Sequence, residues 1–249
     1  MHSCENLYKE TLESIDDVTY HIIGPSSFIA QALILKLQAR KKHTFSYSSK
    51  NRFRLRNFEA DVNSKSIIIY FSIIKDDLRR SIEHLASIQN IANMKGGKFI
   101  YISTKNAESP DASYYSYLKY RCETYVIANG GVSIRLGLIT STPAKGPFRS
   151  LLVLGNLPVK LVFPNNTLIT TTQIEDFLDY DFSNANERTI SSVYSSNYSL
   201  NELLALHRKR RNIATFDLSP FIYMLKKLNK VYSFRGILGR ILTLNGITR

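Results

Sequence analysis

At 249 residues, with 44% hydrophobic and 21% charged residues, the chain can build one sizeable core, or a larger domain carrying a smaller one, and is too apolar for disorder. No run approaches the roughly 18 uninterrupted apolar residues of a spanning helix. The polar, acidic opening "MHSCENLYKETLESIDD" lacks a signal-peptide layout, and two cysteines, Cys4 and Cys122, are too few for a disulfide framework or a cysteine zinc site. The expected setting is a reducing cytoplasm.

The elements alternate from the start. "VTYHIIG" is apolar and β-branched, as a strand requires, and "SFIAQALILKLQAR" follows with helical spacing and a basic last turn. "HTFSYSS" reads as a second short strand. "SIIIYFSI" is a continuous apolar run, expected of a strand buried on both faces of a parallel sheet. "DDLRRSIEHLASIQNIANMK" is a long amphipathic helix opening with acids and stopped by Gly96-Gly97. The strand "KFIYIST", a Tyr-rich helix, a Gly130-Gly131 stop and the strand "VSIRLGLI" complete this part. Such alternation predicts an α/β architecture, a parallel sheet with helices on both faces.

After Thr140 the rhythm breaks at the loop "STPAKGPFRS". Beyond it, "TISSVYSSN" reads as a strand, and "SLNELLALHRK" as a helix capped by Ser199 with Glu202 three residues on. The expected division is an extension over residues 1–16, a nucleotide-binding domain over 17–145, and over 146–249 a mixed segment ending in a small basic lobe. The net charge of +13 concentrates there: residues 201–249 hold ten Lys and Arg against Glu202 and Asp217. Such a patch suits nucleic acid, anionic lipid or a phosphorylated small molecule, or is a solvated surface. No RNA-binding signature or zinc finger accompanies it, so charge alone does not point to nucleic acid. "SPFIYMLKKLNKVYSFRGILGRIL" mixes large apolar residues with Lys and Arg, a composition compatible with peripheral membrane association.

Two stretches carry chemistry. The first strand ends in "GPSSFIA", residues 24–30, where a dinucleotide fold wants glycines for a sharp turn, close approach of the pyrophosphate and helix–strand packing. Gly24 meets the first need; Ser27 and Ala30 stand at the second and third positions, and Pro25 removes a backbone donor. Tyr115 and Lys119 lie four apart, one turn along one helix face. Among 15 tyrosines that spacing alone would be incidental. His2, His21, His43, His84 and His207 show no metal-ligand spacing, so no metal is expected.

"IIGPSSFIA" resembles the GxxGFIG opening of the extended short-chain dehydrogenase/reductases, the NAD(P)-dependent epimerase/dehydratase group. Phe28 and Ile29 match as well as Gly24. "SIIIYFSI" is similar to the family's fourth strand, with Ser72 in place of a small residue. "FIYIST" looks like its fifth strand, Tyr115-x-x-x-Lys119 its catalytic YxxxK, and "VSIRLGLI" the strand that follows. "LITTTQIEDFL" resembles the segment returning to the sheet, and "ISSVYSSNYSLNELLAL" a stretch of the substrate lobe. The likeness covers most of residues 17–245.

The resemblance implies a Rossmann-like doubly wound sheet with a small C-terminal substrate lobe. It also implies a reductase of a keto group on a nucleotide-linked sugar, as in surface-polysaccharide synthesis. Tyr115 would be the proton donor, Lys119 would favour its phenolate and hold the nicotinamide ribose, and Thr104, with Ser103 as runner-up, would orient the substrate oxygen. Gly24, Ser26, Ser27, Phe28, Ile29 and Ser72 would line the cofactor. After the second strand, Ser48, Ser49, Lys50 and Arg52, with no acid nearby, favour NADP(H) over NAD(H). Arg208, Arg210, Arg211 and Arg235 are candidates for a substrate diphosphate. Family members often pair through the YxxxK helix and the long helix before it, so a homodimer is implied.

Departures narrow the chemistry. Lys105-Asn106 stand where the dehydratases carry Asp-Glu, which argues against water elimination. Only ten residues separate Thr104 from Tyr115, a trimmed substrate-side loop. A reductase is favoured; an epimerase holding NAD(H) tightly, and a non-catalytic binding or regulatory descendant, stay open.

Overall fold

A computed structural model describes residues 18–48, 54–72, 77–156, 159–162, 168–206 and 214–217. The first strand, β1 (Thr19–Ile23), leads into α1 (Phe28–Ala39), followed by β2 (His43–Tyr47), α2 (Arg54–Asp61), β3 (Ser66–Tyr70), α3 (Leu78–Met94) and β4 (Lys98–Thr104). Two short 3-10 turns, Lys105–Glu108 and Pro110–Ala112, precede α4 (Tyr114–Ala128). Then come β5 (Val132–Leu136), β6 (Leu138–Thr140), α5 (Gly146–Gly155), β7 (Val159–Val162), β8 (Leu168–Gln173) and α6 (Ile174–Leu178). The strands β9 (Ile190–Val193) and β10 (Ser196–Ser199), helix α7 (Leu200–Leu206) and β11 (Ala214–Asp217) close the order.

The main sheet has six strands in the order β2-β1-β3-β4-β5-β9, and is the mostly parallel, helix-flanked α/β sheet that the alternation predicts. β1 pairs in parallel with β2 and β3, with Ile23 opposite both Tyr47 and Tyr70, and β3 with β4. The carboxyl ends of β1, β2 and β3 are therefore level, while β4 runs on from Tyr101 to Thr104, and in open α/β sheets ligands bind outside those ends. Ser66–Tyr70 is buried at every position, as a strand covered on both faces must be.

The chain divides into two compact units. One takes in the described residues up to Ile102 with Tyr125–Ser133 and Asp181–Thr189; the other has Ser103–Thr124, Ile134–Tyr180 and the described residues from Ile190 onward. In the first, Ile22, Leu33, Phe58, Ile68, Ile69, Leu85, Ile100 and Val126 form the core. Its His21 is fully buried on β1, where Nδ1 lies 3.3 Å from the Tyr47 hydroxyl and Nε2 lies 3.1 Å from Ser66 Oγ. Tyr47 in turn donates to Asp61 at 2.7 Å. In the second unit, Leu118, Ile134, Leu136, Phe148, Phe177, Leu200 and Leu203 are buried.

Four features differ from the sequence expectation. Helix α2 occupies a stretch to which the sequence assigns no element, because "RLRNFEAD" offers too few apolar residues for visible periodicity; Phe58 is its fully buried side chain among those described. "VSIRLGLI" is two strands rather than one, broken at Gly137, where a Cβ would run into the Thr170 carbonyl. β6 then leaves the main sheet for a three-stranded one ordered β10-β8-β6. The segment "LITTTQ" thus builds this second sheet instead of returning to the first, and the sixth main strand is β9. The loop "STPAKGPFRS" contains the start of α5 at Gly146. The expected capping box at Ser199 forms: its N–H donates to Glu202 Oε2 at 2.7 Å, and the Glu202 N–H donates to Ser199 Oγ at 3.2 Å. Among the described residues no helix is long and apolar enough to cross a membrane.

Candidate active site

In the first unit the turn from β1 into α1 is built by Gly24, with φ +83°. Its N–H donates to the Tyr47 carbonyl at 3.0 Å, while the Phe71 N–H donates to Ile23 O at 2.9 Å. The chain is so close to Ser72 that a Cβ on Gly24 would lie 3.1 Å from the Ser72 nitrogen and Cβ. Both conformation and space therefore demand glycine here. Ser27 caps α1 by accepting from the Ala30 N–H at 3.1 Å, which leaves its O–H as a donor. Ser26 is exposed, and Phe28, Ile29 and Ser72 are half-buried. The structure thus gathers Gly24, Ser27 and Ser72 at one strand-end turn. A close-packed glycine turn feeding a capped helix of 12 residues fits the pyrophosphate of a dinucleotide, whose charge the helix N-terminus favours. Ser49, Lys50 and Arg52 lie outside the described residues.

In the second unit, β4 ends in Ser103 and Thr104. Ser103 is 4% exposed, and among the described residues its Oγ finds no hydrogen-bond partner. A buried hydroxyl left unpaired costs about 1–3 kcal/mol, a cost that a ligand oxygen would relieve. Thr104 is half-buried and extended, and its side chain makes no cap bond to the turn that follows. Neighbours in a strand point to opposite faces, so one of the two hydroxyls is buried and the other half-open.

Helix α4 begins with Ser113 as its cap: the Ser116 N–H donates to Ser113 Oγ at 3.1 Å. Ser116, Leu118, Lys119, Cys122 and Glu123 are buried, while Tyr114, Tyr117 and Tyr120 are exposed. Tyr115 keeps 46% of its surface exposed, yet the surroundings of its hydroxyl push the phenol above its ordinary range by burial. Lys119 is 5% exposed, and burial lowers its amine to about 8, partly offset by Cys122 and Glu123. Burial thus favours the protonated phenol of Tyr115 and weakens, without removing, the positive charge of Lys119. A protonated phenol is the state a proton donor needs before it acts.

Sequence reading missed an ion cluster in this unit. Arg135 on β5 donates through Nε to Glu123 Oε2 at 3.0 Å and through Nη2 to Oε1 at 2.5 Å. Its Nη1 stands 3.3 Å from Glu108 Oε1. Glu108 also receives the Tyr194 hydroxyl at 3.1 Å and the Lys105 ammonium, which lies 5.2 Å from the centre of the Tyr194 ring. Burial alone would raise the Glu108 carboxyl, but the bonds from Lys105 and Tyr194 and the charges of Lys105 and Arg135 outweigh it and hold it below its usual range. The signal was present: an Arg in a buried strand run needs an acid. Arg208, Arg210, Arg211 and Arg235 lie outside the described residues.

No protein-family model matches the sequence, and no curated protein is significantly similar to it. Solved structures do match. The dTDP-4-dehydrorhamnose reductase of Bacillus anthracis, in complex with NADP, aligns over 81% of this chain and 85% of its own, with a TM-score of 0.63 at 13% identity. UDP-glucose 4-epimerase of Thermotoga maritima, with UDP-glucose, aligns over 79% and 85%, with a TM-score of 0.60 at 11% identity. A nucleoside-diphosphate-sugar epimerase of Staphylococcus aureus aligns over 92% and 88%, with a TM-score of 0.61 at 10% identity. The chain has the fold of these enzymes. With that fold, the Gly24 turn sits after the first strand of the main sheet and Tyr115 and Lys119 on the helix between β4 and β5.

Proposed function

We propose that the protein is a NAD(P)-dependent oxidoreductase of the short-chain dehydrogenase type, reducing a keto group on a nucleotide-linked sugar with Tyr115 as proton donor. The observation that carries this reading is Lys119, held 5% exposed one helical turn from Tyr115 in the unit that contains the orphaned Ser103 hydroxyl. Perturbed, buried titratable groups cluster at functional sites. The reductase of like fold solved with NADP and the epimerase solved with UDP-glucose support the substrate and cofactor class.

Gly24 and the α1 N-terminus, with Ser26, Ser27, Phe28, Ile29 and Ser72 around the turn, would hold the pyrophosphate. Lys50 and Arg52 would meet a 2′-phosphate, favouring NADP(H). The bound nicotinamide supplies the hydride. Thr104 donates a hydrogen bond that fixes the substrate carbonyl oxygen, with Ser103 as runner-up; the orphaned state of the Ser103 hydroxyl raises its standing. The Tyr115 phenol delivers its proton to that oxygen as negative charge develops there, and the Lys119 ammonium, one turn away, stabilises the phenolate left behind. Arg208, Arg211 and Arg235 would take the substrate diphosphate. The fold match to two epimerases favours, as second reading, an epimerase that keeps NAD(H) bound and consumes none.

Titration with NADPH and NADH, following the emission of the reduced nicotinamide in a protein without tryptophan, tests the proposal. Micromolar NADPH binding, weaker NADH binding and NADPH consumption with a nucleotide-linked keto-sugar are expected. Tight NADH binding without net consumption favours the epimerase, and binding of neither cofactor refutes both.

A further inference from the structure

Arg135 joins the two segments that flank the proposed catalytic groups. On one side its guanidinium takes both oxygens of Glu123, one turn beyond Lys119 on α4. On the other it reaches Glu108 at 3.3 Å, four residues beyond Thr104. Glu108 in turn gathers Lys105 and Tyr194, so the 3-10 turn after Thr104 is tied at both ends. Glu123 is 1% exposed, so the Arg135–Glu123 pair is desolvated and geometrically fixed, unlike a surface ion pair whose partners drift. A planar guanidinium can serve two carboxylates at once in a set geometry, which a lysine ammonium on a flexible stem cannot. In this trimmed loop Lys105 is paired with Glu108.

We propose that Arg135 is a positioning residue, clamping the turn that follows Thr104 to the helix that carries Tyr115 and Lys119 by holding Glu108 and Glu123 together. The proposal rests on the oxidoreductase reading, in which the strand-end hydroxyl and the phenol act on one oxygen. Hydroxyl and phenol must then be held within a fraction of an ångström of each other's working positions, since a misplacement of about 1 Å can cost on the order of a hundredfold in rate. The clamp supplies that fixity where the chain itself offers only a short irregular connection.

The test compares wild type, Glu108→Gln, Arg135→Lys and Arg135→Met by hydrogen exchange in the cofactor-free protein and by steady-state kinetics. Glu108→Gln keeps Arg135 on Glu123 and avoids an uncompensated buried charge, so it remains informative where Arg135→Met fails to fold. Amide exchange over residues 104–112 is expected to quicken in Glu108→Gln by about tenfold or more, with kcat falling about tenfold and the KM for NADPH changing less than about twofold. Arg135→Lys, keeping the charge but not the fork, should not restore either quantity. Unchanged exchange over 104–112, unchanged kcat, or full rescue by Arg135→Lys would each overturn the clamp. A wild type that binds no nicotinamide cofactor overturns instead the functional reading, and with it the catalytic meaning of the clamp.

Discussion

Lowering the pH should destabilise the first unit, in large part through His21. It is fully buried, stacked on Phe45 at 5.4 Å and on Tyr47 at 5.9 Å, edge-on to Phe58, with both ring nitrogens near hydroxyls of Tyr47 and Ser66. Burial lowers its pKa from 6.5 to about 4, and the Asp61 charge offsets this only in part. The folded value lies below the unfolded one, so the unfolded chain binds the extra proton first. The stability conferred by neutral His21 is therefore fully present above about pH 6.5 and is lost as pH falls toward 4. Linkage between these two values gives a loss of about 1.4 kcal/mol at pH 5.5 and about 2.5 kcal/mol at pH 4.5. Against a typical domain stability of 5–15 kcal/mol that is a large fraction. The assay is urea unfolding of wild type and His21→Gln at pH 8, 5.5 and 4.5. The glutamine can still bond the two hydroxyls but does not titrate, and carboxylates such as Glu108 titrate in both proteins and cancel. Wild type should lose about 2.5 kcal/mol more than the variant between pH 8 and 4.5. Parallel losses in the two proteins would refute the account.

Gly24→Ala forces a side chain into a left-handed turn against Ser72, and should cost about 1–2 kcal/mol in thermal unfolding and weaken nicotinamide binding; an unshifted melting temperature would show the turn can relax. Tyr115→Phe should abolish turnover and leave cofactor affinity within about twofold, whereas Lys119→Ala should lose both, as measured by titration and initial rates. Ser103→Ala removes a hydroxyl that no described residue satisfies, so stability should hold or rise by up to about 1 kcal/mol while the KM or kcat for substrate worsens. A destabilisation above about 1 kcal/mol would mean the hydroxyl has a structural partner.

Much of the fold was legible because its signals are local. "KFIYIST" became β4 with the same bounds, the glycine pair at 96–97 ended α3, and Ser199 with Glu202 formed the expected cap, since each depends on residues within a turn or a strand. Helix α2 was illegible because "RLRNFEAD" advertises no apolar period, although Phe58 is fully buried in the fold. The break at Gly137 was illegible for a different reason: it answers to the Thr170 carbonyl, 33 positions away, and a lone glycine in a strand run does not announce which backbone approaches it.

The sequence by itself determined the alternation of strands and helices, and with it the parallel sheet. It also determined the glycine at the first strand-to-helix turn and the placing of Tyr115 and Lys119 on one helix face. Periodicity of 2 and 3.6 and the conformational freedom of glycine are properties of a few neighbouring residues. Only the tertiary structure decided that Lys119 is desolvated, that Ser103 is orphaned, that His21 is kept neutral, and that Arg135 reaches Glu108 and Glu123 from another strand. Burial and charge pairing arise between segments far apart in the chain, and no spacing within a segment records which of them will meet.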